Sequence, residues 1–118
     1  MKSASAKAKG RRLQQKVRDR ITAIFRLQSG DVESRSSGAT GTDLLLSPAA
    51  RRVFPFAVEC KNVERLNLWS AWAQANANTT EGLMPLLVVS RNRCVTELAV
   101  LELEQLLAIL ARREKEGE

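Results

Sequence analysis

Two short apolar runs, Leu44–Leu46 and Phe54–Cys60, flank a polar segment that contains Ser47-Pro48 and Arg51-Arg52. Apolar runs of this length bounded by turn residues read as β-strands, and their closeness in sequence reads as a hairpin. Leu86–Val89 is a third, uninterrupted apolar run, of the kind that fills a central strand buried on both faces. Helical spacing appears elsewhere. Leu13, Val17, Ile21, Ile24 and Phe25 predict a helix over 10–28, closed by Ser29-Gly30. Trp69, Trp72, Ala73 and Asn76 predict a second over 66–78, capped by Asn62 or Asn67. The two Trp read as core or dimer contacts in preference to base-stacking platforms. Ser90–Arg93 reads as a turn and Cys94–Leu101 as a further strand, before a last amphipathic helix over 102–115 marked by Leu103, Leu106, Leu107 and Leu110. The order is α–β–β–α–β–β–α. An α/β fold follows, with a central mixed sheet of about four strands covered by helices on both sides. The length of 118 residues suits one domain spanning 1–118. Residues 1–9 read as a flexible basic tail.

Charge is distributed unevenly. The net charge is +6, yet residues 1–26 hold nine Lys/Arg against one Asp, and the remainder is slightly acidic. A cationic N-terminal region is the electrostatic signature of a polyanion partner, with a solvated basic tail that aids solubility as the alternative. On the expected first helix, Lys9, Arg11, Arg12 and Lys16 lie off the apolar stripe as candidate phosphate contacts. Arg35, Ser36 and Ser37 occupy the Ser/Gly-rich loop 31–42, where glycines allow the backbone close to a ligand. Arg91 and Arg93 sit at the end of the central strand as further candidates.

The chain has no His and no Tyr, which excludes Ser–His catalysis, imidazole zinc sites and tyrosine nucleophiles. Cys60 and Cys94 form no CxxC and read as small core residues in a reducing cytoplasm. No apolar run approaches the roughly 18 residues a membrane span needs, and the basic N-terminus lacks the apolar segment of a signal peptide. No membrane and no organic cofactor are expected.

The chemistry concentrates at three residues. Asp43 opens the first strand, and Glu59 and Lys61 lie in the second, two residues apart and therefore on one face, with Cys60 on the other. A charge within an apolar strand is costly unless it has a purpose. Paired as a hairpin, the strands would bring Asp43 to Glu59. Two carboxylates and an ammonium at one spot can hold a hard divalent cation and activate a water beside it.

Asp43 followed by Glu59-Cys60-Lys61 resembles the PD-(D/E)XK nuclease superfamily, and within it the small Holliday-junction resolvase-like endonucleases of archaea and phages. The resemblance covers about Lys9 to Leu110. It implies a restriction-endonuclease-like core and a homodimeric, divalent-metal-dependent DNA endonuclease acting on branched DNA. Asp43, Glu59 and the backbone carbonyl of Cys60 would bind Mg²⁺ (or Mn²⁺), and Lys61 would orient the attacking water. It also implies a role for Gln14, four residues after Gly10, where similar archaeal resolvases carry Glu. A Gln there supplies an amide oxygen and no negative charge. Gln74 matches a Gln that phage members carry in the equivalent helix near the site. A cytoplasmic location fits, including that of a phage-encoded protein in its host. The other readings are a non-catalytic DNA-binding module of the same fold, a homing or nicking endonuclease of the superfamily, and, for the triad itself, a surface ion-pair cluster on an edge hairpin.

Overall fold

A computed structural model describes residues 2–35, 41–80 and 82–117, with side chains described from Ala6 onward. Helix α1 spans Lys2–Ile24. It therefore takes in residues 2–9, which the sequence placed in a tail. Leu13, Val17 and Ile21 recur every four residues, and this stripe packs into the core with Leu13 and Ile21 buried. The helix closes earlier than Ser29-Gly30. Leu27 N–H donates to the Thr22 carbonyl at 2.9 Å and Arg26 N–H to the Ala23 carbonyl at 3.3 Å. Arg26 stands at φ 53°, the left-handed position of a Schellman closure, with an arginine where glycine is usual.

Strand β1, Val32–Ser34, follows. It lies inside the stretch read as a loop. Three residues of mixed polarity among Ser and Gly give no periodic signal, and its pairing is supplied by tertiary context. Strand β2, Leu44–Leu46, runs antiparallel to β1, with Val32 opposite Leu46 and Ser34 opposite Leu44. The expected hairpin between Leu44–Leu46 and Phe54–Cys60 is thus replaced by a β1–β2 pair, which forms its own two-stranded sheet. The polar segment after β2 is helix α2, Pro48–Val53, not a turn. Ser47 caps it by accepting from Ala50 N–H at 3.1 Å and donates its hydroxyl to Asp31 at 2.7 Å. Pro48 takes the first helical position, where its missing N–H costs nothing.

The main sheet has three strands rather than about four, in the order β3 (Phe56–Asn62), β4 (Met84–Ser90), β5 (Leu98–Val100). β3 and β4 are parallel, with Glu59 beside Leu87 and Cys60 beside Val88, and β5 is antiparallel to β4. The central position of β4 agrees with its uninterrupted apolar run. Helix α3, Leu68–Ala77, makes the crossover from β3 to β4 and is capped by Asn67, whose side chain accepts from Ser70 N–H. Helix α4, Leu103–Gly117, ends the described chain.

The sheet is covered differently on its two faces. Val58, Cys60, Leu86 and Val88 pack under α1 with Leu44 and Ala50. Leu87 packs under α3 against Ala71 and Ala75. The buried face of α3 is thus its small-residue face. Trp72 only flanks it, and Trp69 is 78% exposed, so Trp69 is not a core residue. Cys94 is also exposed, since the segment before Leu98 is irregular and leaves the sheet, whereas Cys60 is buried as expected. Among the described residues no helix is long and apolar enough to cross a membrane.

Gly10 lies within α1, and a Cβ added there would meet no atom within 4 Å. Glycine in a helix interior costs about 0.5–1 kcal/mol relative to alanine. Gly10→Ala is expected to stabilise the protein by about that amount in urea denaturation. Unchanged or reduced stability would show that Gly10 is not held in the helix in solution.

Candidate functional site

β3 is an edge strand of the main sheet, and an edge exposes backbone groups that need partners. Two of them are met by a single residue, Asp43. Its N–H donates to the Val58 carbonyl at 2.9 Å, and its carboxylate Oδ2 accepts from Cys60 N–H at 2.7 Å. Its own carbonyl accepts from Arg35 N–H at 2.9 Å. Buried Thr42 donates to the Leu44 carbonyl at 2.9 Å and fixes the chain just before β2. Asp43 is therefore brought to β3 by a lateral bridge and not by hairpin pairing, and it still arrives at Glu59.

Glu59 is 5% exposed and lies on the α3 face of β3, the face it shares with Lys61. Burial raises its pKa, and the nearby charge of Asp43 raises it further; Asn78 and Lys61 oppose the rise. Asp43 is raised by burial as well, against the Cys60 N–H and the charges of Lys61 and Arg35. Lys61 thus offsets part of the rise at both partly desolvated carboxylates, and Arg35 part of the rise at Asp43 alone. Among the described residues the salt bridges are Lys16–Glu97 at 2.7 Å and Arg18–Asp19 at 3.0 Å, so the triad is not a surface ion-pair cluster. The Cys60 thiol is pushed up by burial and by both carboxylates and stays protonated near neutrality. It offers no nucleophile, only its backbone.

Gln14 extends from α1 to β1, where its amide oxygen accepts from the Ser34 hydroxyl at 2.8 Å. Arg35 adjoins Asp43, and its guanidinium lies over Gly41, where a Cβ would come within 3.2 Å of Nη1. Gly41 stands at φ 92°, so this close approach and the backbone both require glycine. Ser36 and Ser37 lie outside the described residues. Gln74 is exposed on α3, and Asn78, one turn later at the C-cap, is the amide that reaches Glu59, at 3.4 Å. Gln74 and Asn78 share a helix face by their spacing of four, which is the signal that could have pointed to Asn78.

A second constellation forms on the α1 face, at the ends of β3 and β4. A cleft of about 230 Å³ is lined by Lys9, Arg12 and Lys16 from α1, by Asn62 and Ser90 from the strand ends, and by Arg91, Arg93 and Glu97. Five of the expected phosphate contacts are gathered here, while Arg11 is exposed on α1 outside the cleft. The Oδ1 of Asn62 is buried with no hydrogen-bond partner among the described residues, an acceptor left open at the cleft wall. Arg93 adopts φ 61° in the turn that closes the cleft, and Asn92 N–H is held by Glu64 at 2.9 Å.

Among the described residues no group of three or more His, Cys, Asp or Glu gathers as a metal site. The carboxylate pair offers hard oxygens only, with Asp43 Oδ1 and Glu59 Oε1 outside the hydrogen bonds described above. The sequence matches no protein-family model, and comparison with curated proteins and with solved structures gives no significant match.

The raised carboxylates carry a stability consequence. A carboxyl with a raised folded-state pKa binds its proton more tightly in the folded protein, so stability falls as pH climbs from the ordinary carboxylate value through the raised one. Glu59→Gln removes that loss and keeps an oxygen for Asn78. Thermal unfolding should show the variant a few degrees more stable than wild type at pH 7–8 and equal to it below about pH 4, where the native side chain is itself protonated. A variant less stable at pH 7 would overturn the assignment.

Proposed function

We propose that the chain is a divalent-metal-dependent DNA endonuclease with a restriction-endonuclease-like core of the PD-(D/E)XK kind, acting on branched DNA. The observation that carries this reading is the buried Glu59 held beside Asp43, with Lys61 on the same face. Partly desolvated carboxylates with raised pKa values concentrate at functional sites. They fit a hard cation, Mg²⁺ or Mn²⁺, whose charge would offset the desolvation that raises both pKa values and the repulsion from Asp43 that adds to the rise at Glu59. Asp43, Glu59 and the Cys60 carbonyl would hold it. Bound there, the cation would neutralise charge on a phosphodiester and acidify a water beside it. Lys61 orients the attacking water and stabilises the charge that builds on the phosphoryl oxygens. Lys9, Arg12, Lys16, Arg91 and Arg93 hold the flanking backbone in the cleft without reading sequence.

A non-catalytic DNA-binding module is the second reading, favoured by one specific contact. The Asp43 carboxylate already satisfies Cys60 N–H, which gives it a structural use independent of any metal. For this reason Asp43→Asn is a better test than Asp43→Ala, because the amide oxygen keeps that acceptor.

The deciding experiment is cleavage of a labelled four-way junction and a matched linear duplex, with Mg²⁺ or EDTA. Cleavage should require Mg²⁺ and fall by about 10²-fold or more in Asp43→Asn, Glu59→Gln and Lys61→Ala. Equal cleavage of both substrates would remove the preference for branches. Salt-sensitive binding with no cleavage under any divalent metal would sink the enzyme and leave the binding module. Separately, Arg12→Ala and Arg91→Ala should each weaken binding to all sequences alike and lower the slope of log K against log salt by about 0.9. Unchanged slopes would remove the cleft from the interface.

A further inference from the structure

The cleft at the ends of β3 and β4 is lined by six charged side chains, Lys9, Arg12, Lys16, Arg91, Arg93 and Glu97. Among the described residues four of the five cations form no salt bridge. The fifth does. Lys16 Nζ donates to Glu97 Oε2 at 2.7 Å, across 81 positions of sequence. Strand register brings Glu97 there. Leu98 opens β5 opposite Val89, so Glu97 stands beside Ser90, where β4 ends and the cleft begins. The Thr96 carbonyl accepts from the Ser90 hydroxyl at 3.5 Å and from the Cys94 thiol at 3.4 Å, which holds the approach to β5 against the end of β4. Glu64 is a second carboxylate near this turn. It accepts from Asn92 N–H at 2.9 Å and does not line the cleft.

The pair contributes little to folding. The Lys16 side chain is 48% exposed and that of Glu97 20%, and an ion pair so accessible to water adds little stability. Its consequence lies in the charges around it. Five cations gathered in one cleft repel one another, and a carboxylate among them lowers that repulsion while no ligand is bound. A carboxylate and a phosphate present the same chemistry to an ammonium, anionic oxygens at hydrogen-bond distance. A polyanion seated on Lys9, Arg12, Arg91 and Arg93 would therefore compete for Lys16 and repel Glu97 at the same time. We infer that Glu97 is the resident anion of the cleft: it holds Lys16 until a backbone phosphate takes its place, and so sets how much negative charge a ligand must bring. The inference rests on the reading of the cleft as a polyanion site. Only a ligand that engages several of the cations at once displaces Glu97, which selects a chain of phosphates over a lone anion.

The test is equilibrium binding of the full chain to the labelled linear duplex in EDTA, followed by fluorescence anisotropy. Glu97→Gln keeps the size of the side chain and removes its charge, and it should tighten binding about 5-fold or more. Loss of any carboxylate beside a cationic cleft favours a polyanion to some degree, so a double-mutant cycle supplies the specific arm. Lys16→Met keeps the apolar stem and removes the ammonium. In that background the gain from Glu97→Gln should shrink to about 2-fold or less. The thermal unfolding midpoint of Glu97→Gln should stay within about 2 °C of wild type. Unchanged affinity in Glu97→Gln overturns the inference, as does a gain that persists undiminished in Lys16→Met. A midpoint lowered by many degrees with no gain in affinity would make Glu97 a structural tie between β5 and α1, and would overturn it too. Because cleavage is not read, loss of the nuclease reading leaves the result standing. Binding indifferent to Arg12→Ala and Arg91→Ala would remove the polyanion cleft and the inference with it. Binding that needs both arginines and ignores Glu97→Gln would remove the inference alone.

Discussion

The hydrogen bond from Cys60 N–H to the Asp43 carboxylate, 2.7 Å long, is the contact on which the arrangement of this molecule turns. β3 borders the main sheet and, among the described residues, has no strand on its outer side. Asp43 stands in for one, giving its own N–H to Val58 and its side chain to Cys60. That bridge ties the small β1–β2 sheet to the large one, and with it the loop that carries Arg35. It also sets Asp43 beside Glu59 at the point where β3 passes under α3. Structure and candidate chemistry therefore share one carboxylate. Removing its oxygen would leave a backbone donor without a partner and would break the link between the sheets.

Much of this was legible in the residues. The stripe of α1, the central β4, the crossover helix α3 with its Asn67 cap and the terminal helix α4 all follow from periodicity and capping. The proximity of Asp43 and Glu59 was reached through an incorrect route. Local sequence favours a hairpin between two neighbouring apolar runs, but Ser47-Pro48 is a helix start, and the six residues of α2 carry the chain away from hairpin geometry. β2 then pairs with β1, whose three residues carry no alternation strong enough to read. Ser34, the partner of Gln14, was invisible for a related reason, and Asn78, the partner of Glu59, was signalled only by its spacing of four from Gln74. Each acts through one contact that only the tertiary fold creates.

Helix α3 shows how an apolar pattern can mislead about direction. Its two tryptophans are the largest side chains available, yet the helix turns Ala71 and Ala75 to the sheet. Small residues let it lie close over β4, and Leu87 fills the space between them. Burying Trp69 and Trp72 there would have held the helix further from β3 and taken Asn78 out of reach of Glu59. The exposed Trp69 is in this sense a consequence of building the carboxylate site, and it becomes part of the apolar surface next to α4.

The sheet also divides the charges. Glu59 and Lys61 belong to the α3 face, while Asn62, the next residue, lines the cationic cleft on the α1 face. Consecutive residues at the end of β3 thus serve opposite sides, as strand alternation dictates. The cleft gathers five cations against one glutamate already paired to Lys16. On the proposed function, a polyanion held at that cleft would be repelled at the carboxylates unless a cation sat between them. On that proposal, affinity on one face and charge compensation on the other would be set by different residues, so binding and cleavage would fail independently. Under the same proposal a chain without the metal would still hold nucleic acid, so retained binding alone would say nothing about whether the carboxylate pair is catalytic.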